Sequence, residues 1–254
     1  MITALAVPGL PEIEPGYDLA GGIVACLAAL GDPVTLEPTD VVVIAHKAVS
    51  KSEGRTRRLD DVIPGERASE LAREQDKDPR HVQVILDESR ALIRASQGVL
   101  ITETRHGFIC ANAGVDASNV PAEATVVLLP LDPDGSARRL RARFRALTGA
   151  SPPAVVITDS FGRAWRTGQC DVAIGCAGLN PAEDWRGGHD AQGRELHATL
   201  IAVADELAAT ADLARRKDGQ QPAVLIRGAG RHVTEADGPG AVALIRAADQ
   251  DLFR

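Results

Sequence analysis

Five short runs, residues 41–45, 99–102, 125–129, 154–158 and 223–226, are rich in β-branched residues and apolar at nearly every position. A strand with one wet face alternates polar with apolar residues, so runs of this kind are expected to be strands buried on both faces. Between them, residues 66–74, 82–93, 136–147 and 195–214 place apolar residues at helical spacing. The expected fold class is therefore α+β, in the sense of a mixed α/β chain. The third helical segment follows Asp132-Pro-Asp-Gly135, a turn that leads into an N-cap at Ser136. Residues 147–153, where a basic helix ends in Gly149 and Pro152 and Pro153 precede the next strand, form the best candidate seam. That segment reads equally as a boundary between two lobes and as an ordinary helix-to-strand connection.

A chain of 254 residues is long enough to bury a sizeable core, as one large domain or two compact lobes. Its formal charge of −7 argues against a surface built to neutralise nucleic-acid phosphates and favours a small-molecule substrate. No run approaches the roughly 18 apolar residues of a membrane span, and the start lacks the basic region of a signal peptide, so a cytoplasmic location is expected. Cys26, Cys110, Cys170 and Cys176 contain no CxxC pair and read as buried free thiols rather than a zinc site or disulfides. Lys stands only at positions 47, 51, 77 and 217, against a large excess of Arg. Lys51 and Lys217, retained in loops, gain weight as sites that need a compact ammonium.

The chemistry gathers at strand ends. After the first run, residues 46–55 offer His46, Lys47, Lys51, hydroxyls and Gly54 in what reads as a polar loop, where a lysine and backbone amides can hold a phosphate. No GxxxxGK[ST] occurs, so this is not a Walker A loop. Asp159-Ser160, read as the C-terminal end of a strand, offers two hard oxygen ligands for Mg²⁺ or Mn²⁺, and Arg163 and Arg166 follow with forks suited to phosphate. The same Asp-Ser pair also opens many ordinary turns. A second acidic segment, Asn112-Ala-Gly-Val-Asp116, makes a shared nucleotide and metal site the more economical reading. Asp205 and Glu206 read as the wet face of a helix, and His106, His189, His197 and His232 lack any ligand spacing.

Several segments together closely resemble the coenzyme F420-0:L-glutamate ligase family. They are Gly9-Leu-Pro-Glu-Ile13, residues 45–55, 104–120 and 131–137, Ile157-Thr-Asp-Ser-Phe-Gly-Arg163, residues 190–196 and 203–209, and Arg227-Gly228, in order and nearly end to end. The resemblance implies an F420 ligase-type fold that forms a homodimer. The implied activity is a GTP-dependent ligation of L-glutamate to F420-0, helped by Mg²⁺ or Mn²⁺ as two ions and by K⁺. Carried over position by position, Asp116 and Asp159 are implied metal ligands and Ser160 the hydroxyl of a second metal. Leu10, Pro11, Glu12, Ile13, His46, Lys47, Lys51, Asn119 and Lys217 are implied contacts of GTP.

One segment departs from that pattern. Where the family usually reads Asn-Leu-Val-Met-Gly-Lys, this chain reads Asp212-Leu-Ala-Arg-Arg-Lys217, and exchange of Gly for Arg216 reshapes the loop. The inventory suits activation of a carboxylate as an acyl phosphate, with Lys51 and Arg163 stabilising charge on the transferred phosphoryl group and no covalent nucleophile. A metal-dependent phosphohydrolase and a noncatalytic deazaflavin or nucleotide-binding module remain the alternatives. The number of glutamates added is not legible. A segment similar to Asp251-Leu-Phe-Arg254 precedes a nitroreductase-like domain in some bacterial relatives, so this chain also reads as one part of a longer fusion.

Overall fold

The computed structural model describes residues 1–117, 124–216 and 218–251. The chain forms β1 (Thr3–Ala6), α1 (Leu19–Ala28), β2 (Val41–Ala45), α2 (His46–Ser52), β3 (Thr56–Arg58) and α3 (Glu66–Gln75). There follow α4 (Pro79–Asp87), β4 (Ser89–Ser96), β5 (Val99–Thr104), β6 (Ile109–Ala111), β7 (Thr125–Val127) and α5 (Pro133–Thr148). The last elements are β8 (Ala154–Arg163), β9 (Arg166–Ala177), β10 (Glu183–Asp184), β11 (Leu200–Ile201), α6 (Val203–Ala214) and β12 (Ala223–Arg227). The fold is α+β, and among the described residues no helix is long and apolar enough to cross a membrane.

A five-stranded sheet, in the order β1-β12-β2-β8-β9, forms the centre. Successive strand side chains point to opposite faces, so an all-apolar strand must be covered twice. Val42 and Ile44 of β2 pack with Ile23, Leu27 and Phe144 from α1 and α5, while Val41 and Val43 pack with Val203 and Leu207 of α6. Burying one side chain the size of Phe144 fully contributes about 1.5–3 kcal/mol. Only β2 and β8 run parallel, and the other pairs of the sheet are antiparallel. The segment between these two strands builds a separate core around Leu71, Val82, Ile85, Leu100 and Val126, from α3, α4, the β4-β5-β6 sheet and the β3-β7 pair.

Several expectations need correction. Helix 82–93 stops at Asp87, because residues 89–96 form β4 and turn back to β5 through Gln97 and Gly98, both at positive φ. Two positive-φ residues make the hairpin turn whose twist matches the strands. The expected helix 136–147 begins earlier: Asp132 accepts the Gly135 N–H at 2.9 Å and Pro133 takes the first helical position, so Ser136 lies inside the helix. Helix 195–214 shortens to α6 because residues 200–201 pair with Glu183–Asp184. The polar loop expected at 46–55 is mostly α2, which starts directly after β2 and buries His46, Ala48 and Val49. Finally, Asp159 and Ser160 do not end a strand, since β8 continues to Arg163 and pairs with β9 throughout.

All four cysteines are free; Cys110 and Cys176 are buried, Cys26 and Cys170 partly so. Burial pushes the Cys110 and Cys176 thiols up to about 12, which keeps them protonated and unreactive.

Candidate active site

The parallel register of β2 and β8 sets Ala45 beside Thr158. The next residue on each strand is therefore brought to the same edge, and His46 Nε2 lies 3.3 Å from Asp159 Oδ1. The contact lacks the angle of a hydrogen bond, whereas His46 Nδ1 approaches Ser50 Oγ at 3.4 Å and the Ser160 N–H donates to Asp159 Oδ1 at 2.8 Å. Lys47, the following residue of α2, pairs with Asp116 Oδ2 at 2.6 Å. One turn further on the same helix face, Lys51 Nζ reaches Glu12 Oε1 at 2.5 Å. Two carboxylates from separate parts of the chain thus meet consecutive residues at the start of α2.

Asp116 is delivered by an unusual turn. Asn112, Ala113 and Gly114 have φ of 53°, 54° and 68°, a left-handed run in which only glycine is at ease. A Cβ on Gly114 would also come within 2.7 Å of Leu129. Directly after the turn, Asp116 exchanges two backbone hydrogen bonds with Val127, which fixes its Cα beside β7.

These elements enclose a cavity of about 580 Å³. Its walls include residues 10–13, His46, Lys47, Lys51, Thr158, Asp159, Ser160 and Asp171, with Asp212, Arg215, Arg216, Asp218 and residues 220–222. On the far wall Asp171, opposite Ser160 in the β8–β9 register and 1% exposed, accepts from Ser160 Oγ at 2.6 Å and from Thr158 Oγ1 at 2.7 Å. The Arg215 guanidinium also donates to Asp171, and to Thr158 Oγ1 at 2.9 Å.

Nine of the residues singled out in the sequence are brought together here: Leu10, Pro11, Glu12, Ile13, His46, Lys47, Lys51, Asp159 and Ser160. Asp116 stands behind Lys47 and does not itself line the cavity. Arg163 lies at the β8–β9 turn, exposed, with its guanidinium on the Thr167 carbonyl at 3.2 Å, away from the cavity walls. Asn119 and Lys217 lie outside the described residues. Asp171 and Arg215 line the cavity without having been singled out; an aspartate inside an otherwise apolar strand end, Asp171-Val-Ala-Ile174, was the available signal. Asp205 is not on a wet face: its Oδ1 accepts the Ala173 N–H at 2.9 Å, and burial pushes its carboxyl up. Glu206 beside it is exposed.

Hard carboxylate oxygens from Asp116 and Asp159 suit Mg²⁺ or Mn²⁺. Among the described residues no three His, Cys, Asp or Glu side chains converge into a cage, so an ion bound here would take one or two protein carboxylates, with its other positions open to phosphate oxygens and water. That donor set fits one ion held between protein and nucleotide.

The F420-0:Gamma-glutamyl ligase family matches residues 9–228. The coenzyme F420:L-glutamate ligase of Methanopyrus kandleri is 43% identical over 250 residues, covering 98% of this chain and 96% of the relative. The protein of the same name from Methanothermobacter thermautotrophicus is 42% identical over 254 residues, covering 100% and 99%. That of Archaeoglobus fulgidus is 42% identical over 228 residues, covering 89% and 88%.

Proposed function

This chain belongs to the F420-0:Gamma-glutamyl ligase family, and from that premise we propose that its cavity joins L-glutamate to the F420-0 carboxylate at the expense of GTP. The observation that carries the reading is the meeting of Asp159 and Asp116 with His46 and Lys47, beside Lys51, at one end of a cavity large enough for a nucleotide. Triphosphates need fixed positive charge around the transferred group and a divalent ion on their oxygens.

A carboxylate acylates poorly. Its oxygen therefore attacks the γ-phosphorus, GDP leaves, and the resulting acyl phosphate is attacked at carbon by the glutamate amine, releasing phosphate. Lys47 and Lys51 line the cavity, and contact with the phosphates would exchange part of their pairing with Asp116 and Glu12 for pairing with nucleotide. Asp116 and Asp159 would hold Mg²⁺ or Mn²⁺, which neutralises phosphate charge when bound. Residues 10–13, with Leu10 and Ile13 buried in the α1 core, form a firm wall opposite α2. Arg163, with its guanidinium on the Thr167 carbonyl at 3.2 Å, lies outside the cavity walls.

An isotope experiment tests the reaction. With ¹⁸O in the precursor carboxylate, one labelled oxygen is expected in released phosphate for each amide formed. Amide without label transfer would exclude the acyl phosphate, and phosphate release without amide would make the protein a phosphohydrolase. The nucleotide contact has its own test. Lys51→Ala is expected to weaken GTP binding by about 1.5–3 kcal/mol, the range for hydrogen bonds to charged groups, or roughly 10- to 150-fold in Kd by calorimetry. An unchanged Kd would leave Lys51 as a partner of Glu12 alone.

A further inference from the structure

We propose that Arg215 is a built-in cation of this cavity, and that the chain accordingly holds one divalent ion there rather than two. The inference rests on the ligase reading for the identity of the site. The corner in question is formed by Ser160, Thr158 and Asp171. Asp171 is the carboxylate there, and each of its oxygens is engaged: Oδ1 by the Ser160 hydroxyl at 2.6 Å, Oδ2 by the Thr158 hydroxyl at 2.7 Å and by Arg215. The Arg215 side chain is only 11% exposed and its guanidinium is tied on further sides, with Nη1 donating to the Pro222 carbonyl at 3.4 Å and Nε 3.9 Å from Asp212 Oδ1.

Ser160 is the position at which resemblance implies a hydroxyl ligand to a second metal. A hydroxyl alone binds a divalent ion weakly, and such an ion needs carboxylate charge close by. Here the Asp171 carboxylate already holds the Arg215 guanidinium, which also lies 3.9 Å from Asp212 Oδ1. A second divalent ion would have to displace Arg215 or sit against it. The other corner differs, because there Asp159 lines the cavity 3.3 Å from the His46 ring, and Asp116 stands behind Lys47, whose side chain is of the flexible four-carbon type rather than a rigid guanidinium fork.

The test counts Mn²⁺ by equilibrium dialysis and electron paramagnetic resonance on the full chain, with and without a non-hydrolysable GTP analogue. Wild type and Arg215→Lys are expected to saturate at one ion per chain. Arg215→Gln, which keeps a donor for Asp171 and removes the charge, is expected to take up two. Two ions in wild type, or an unchanged count in folded Arg215→Gln, would overturn the proposal. Should Arg215→Gln fail to fold, the wild-type count decides alone. Failure of the analogue to bind, followed separately by calorimetry, would remove the GTP reading while the Mn²⁺ count still decides the role of Arg215.

Discussion

Asp159→Asn is expected to lower kcat for glutamyl-amide formation by on the order of 10³-fold, the equivalent of the several kcal/mol that a metal-held charge contributes to a phosphoryl transition state. The amide keeps the size of the carboxylate and can still accept the Ser160 N–H that Asp159 Oδ1 accepts at 2.8 Å, so the fold should survive. What is lost is the negative charge that faces His46 across 3.3 Å and would bind the ion. Steady-state turnover across a Mn²⁺ titration, with circular dichroism as the fold control, distinguishes the outcomes. Activity near wild type at low Mn²⁺ would remove Asp159 from the metal site. Asp116→Asn should act in the same direction and also release Lys47 from its 2.6 Å contact.

Asp171→Ala is expected to destabilise the protein by about 3–5 kcal/mol, because removing one partner of a buried ion pair leaves the other charge uncompensated. Asp171 is 1% exposed and Arg215 11%, so little solvent is present to screen the pair. The Thr158 and Ser160 hydroxyls would lose their acceptor in the same step. A urea unfolding midpoint, with the slope of the transition unchanged, reports the effect directly. A loss below about 1 kcal/mol, the level of an exposed pair, would mean that the cavity is wet enough to solvate Arg215.

The parts of the fold most legible in the sequence were those whose pattern has a single physical solution. Val41–Ala45, Ala154–Ile157 and Ala223–Ile226 are strands covered on two faces, whereas residues 99–102, read the same way, bury Leu100 and Thr102 on one face and leave Val99 39% exposed. Residues 82–93 misled because the apolar spacing of α4 runs on into Ala91, Leu92 and Ile93, where a hairpin turn at Gln97-Gly98 overrides it. The seven residues of α2 hold too few apolar positions to show a period, so its lysines looked like loop residues. Within the site, Asp159, Lys47 and Lys51 stood out by residue type and context. Asp171 and Arg215 did not, because their meeting depends on the β8–β9 register and on where the chain returns after α6, which no local pattern encodes. Arg163 lies at the β8–β9 turn, outside the cavity walls, because β8 runs on past its apolar residues.

The pairing of β2 with β8 joins residues about 110 positions apart, and the whole α3, α4 and β3–β7 core lies between them. Contacts inside that intervening core are nearer in sequence and cost less chain entropy to form than the closure that brings β2 against β8. His46 meets Asp159 only through that closure, and Lys47 meets Asp116 only when the intervening core is seated on α2. The cavity is consequently among the last things a newly made chain can possess: a nascent polypeptide that has not yet emerged past residue 158 has no such cavity at all, whatever structure its first half has acquired.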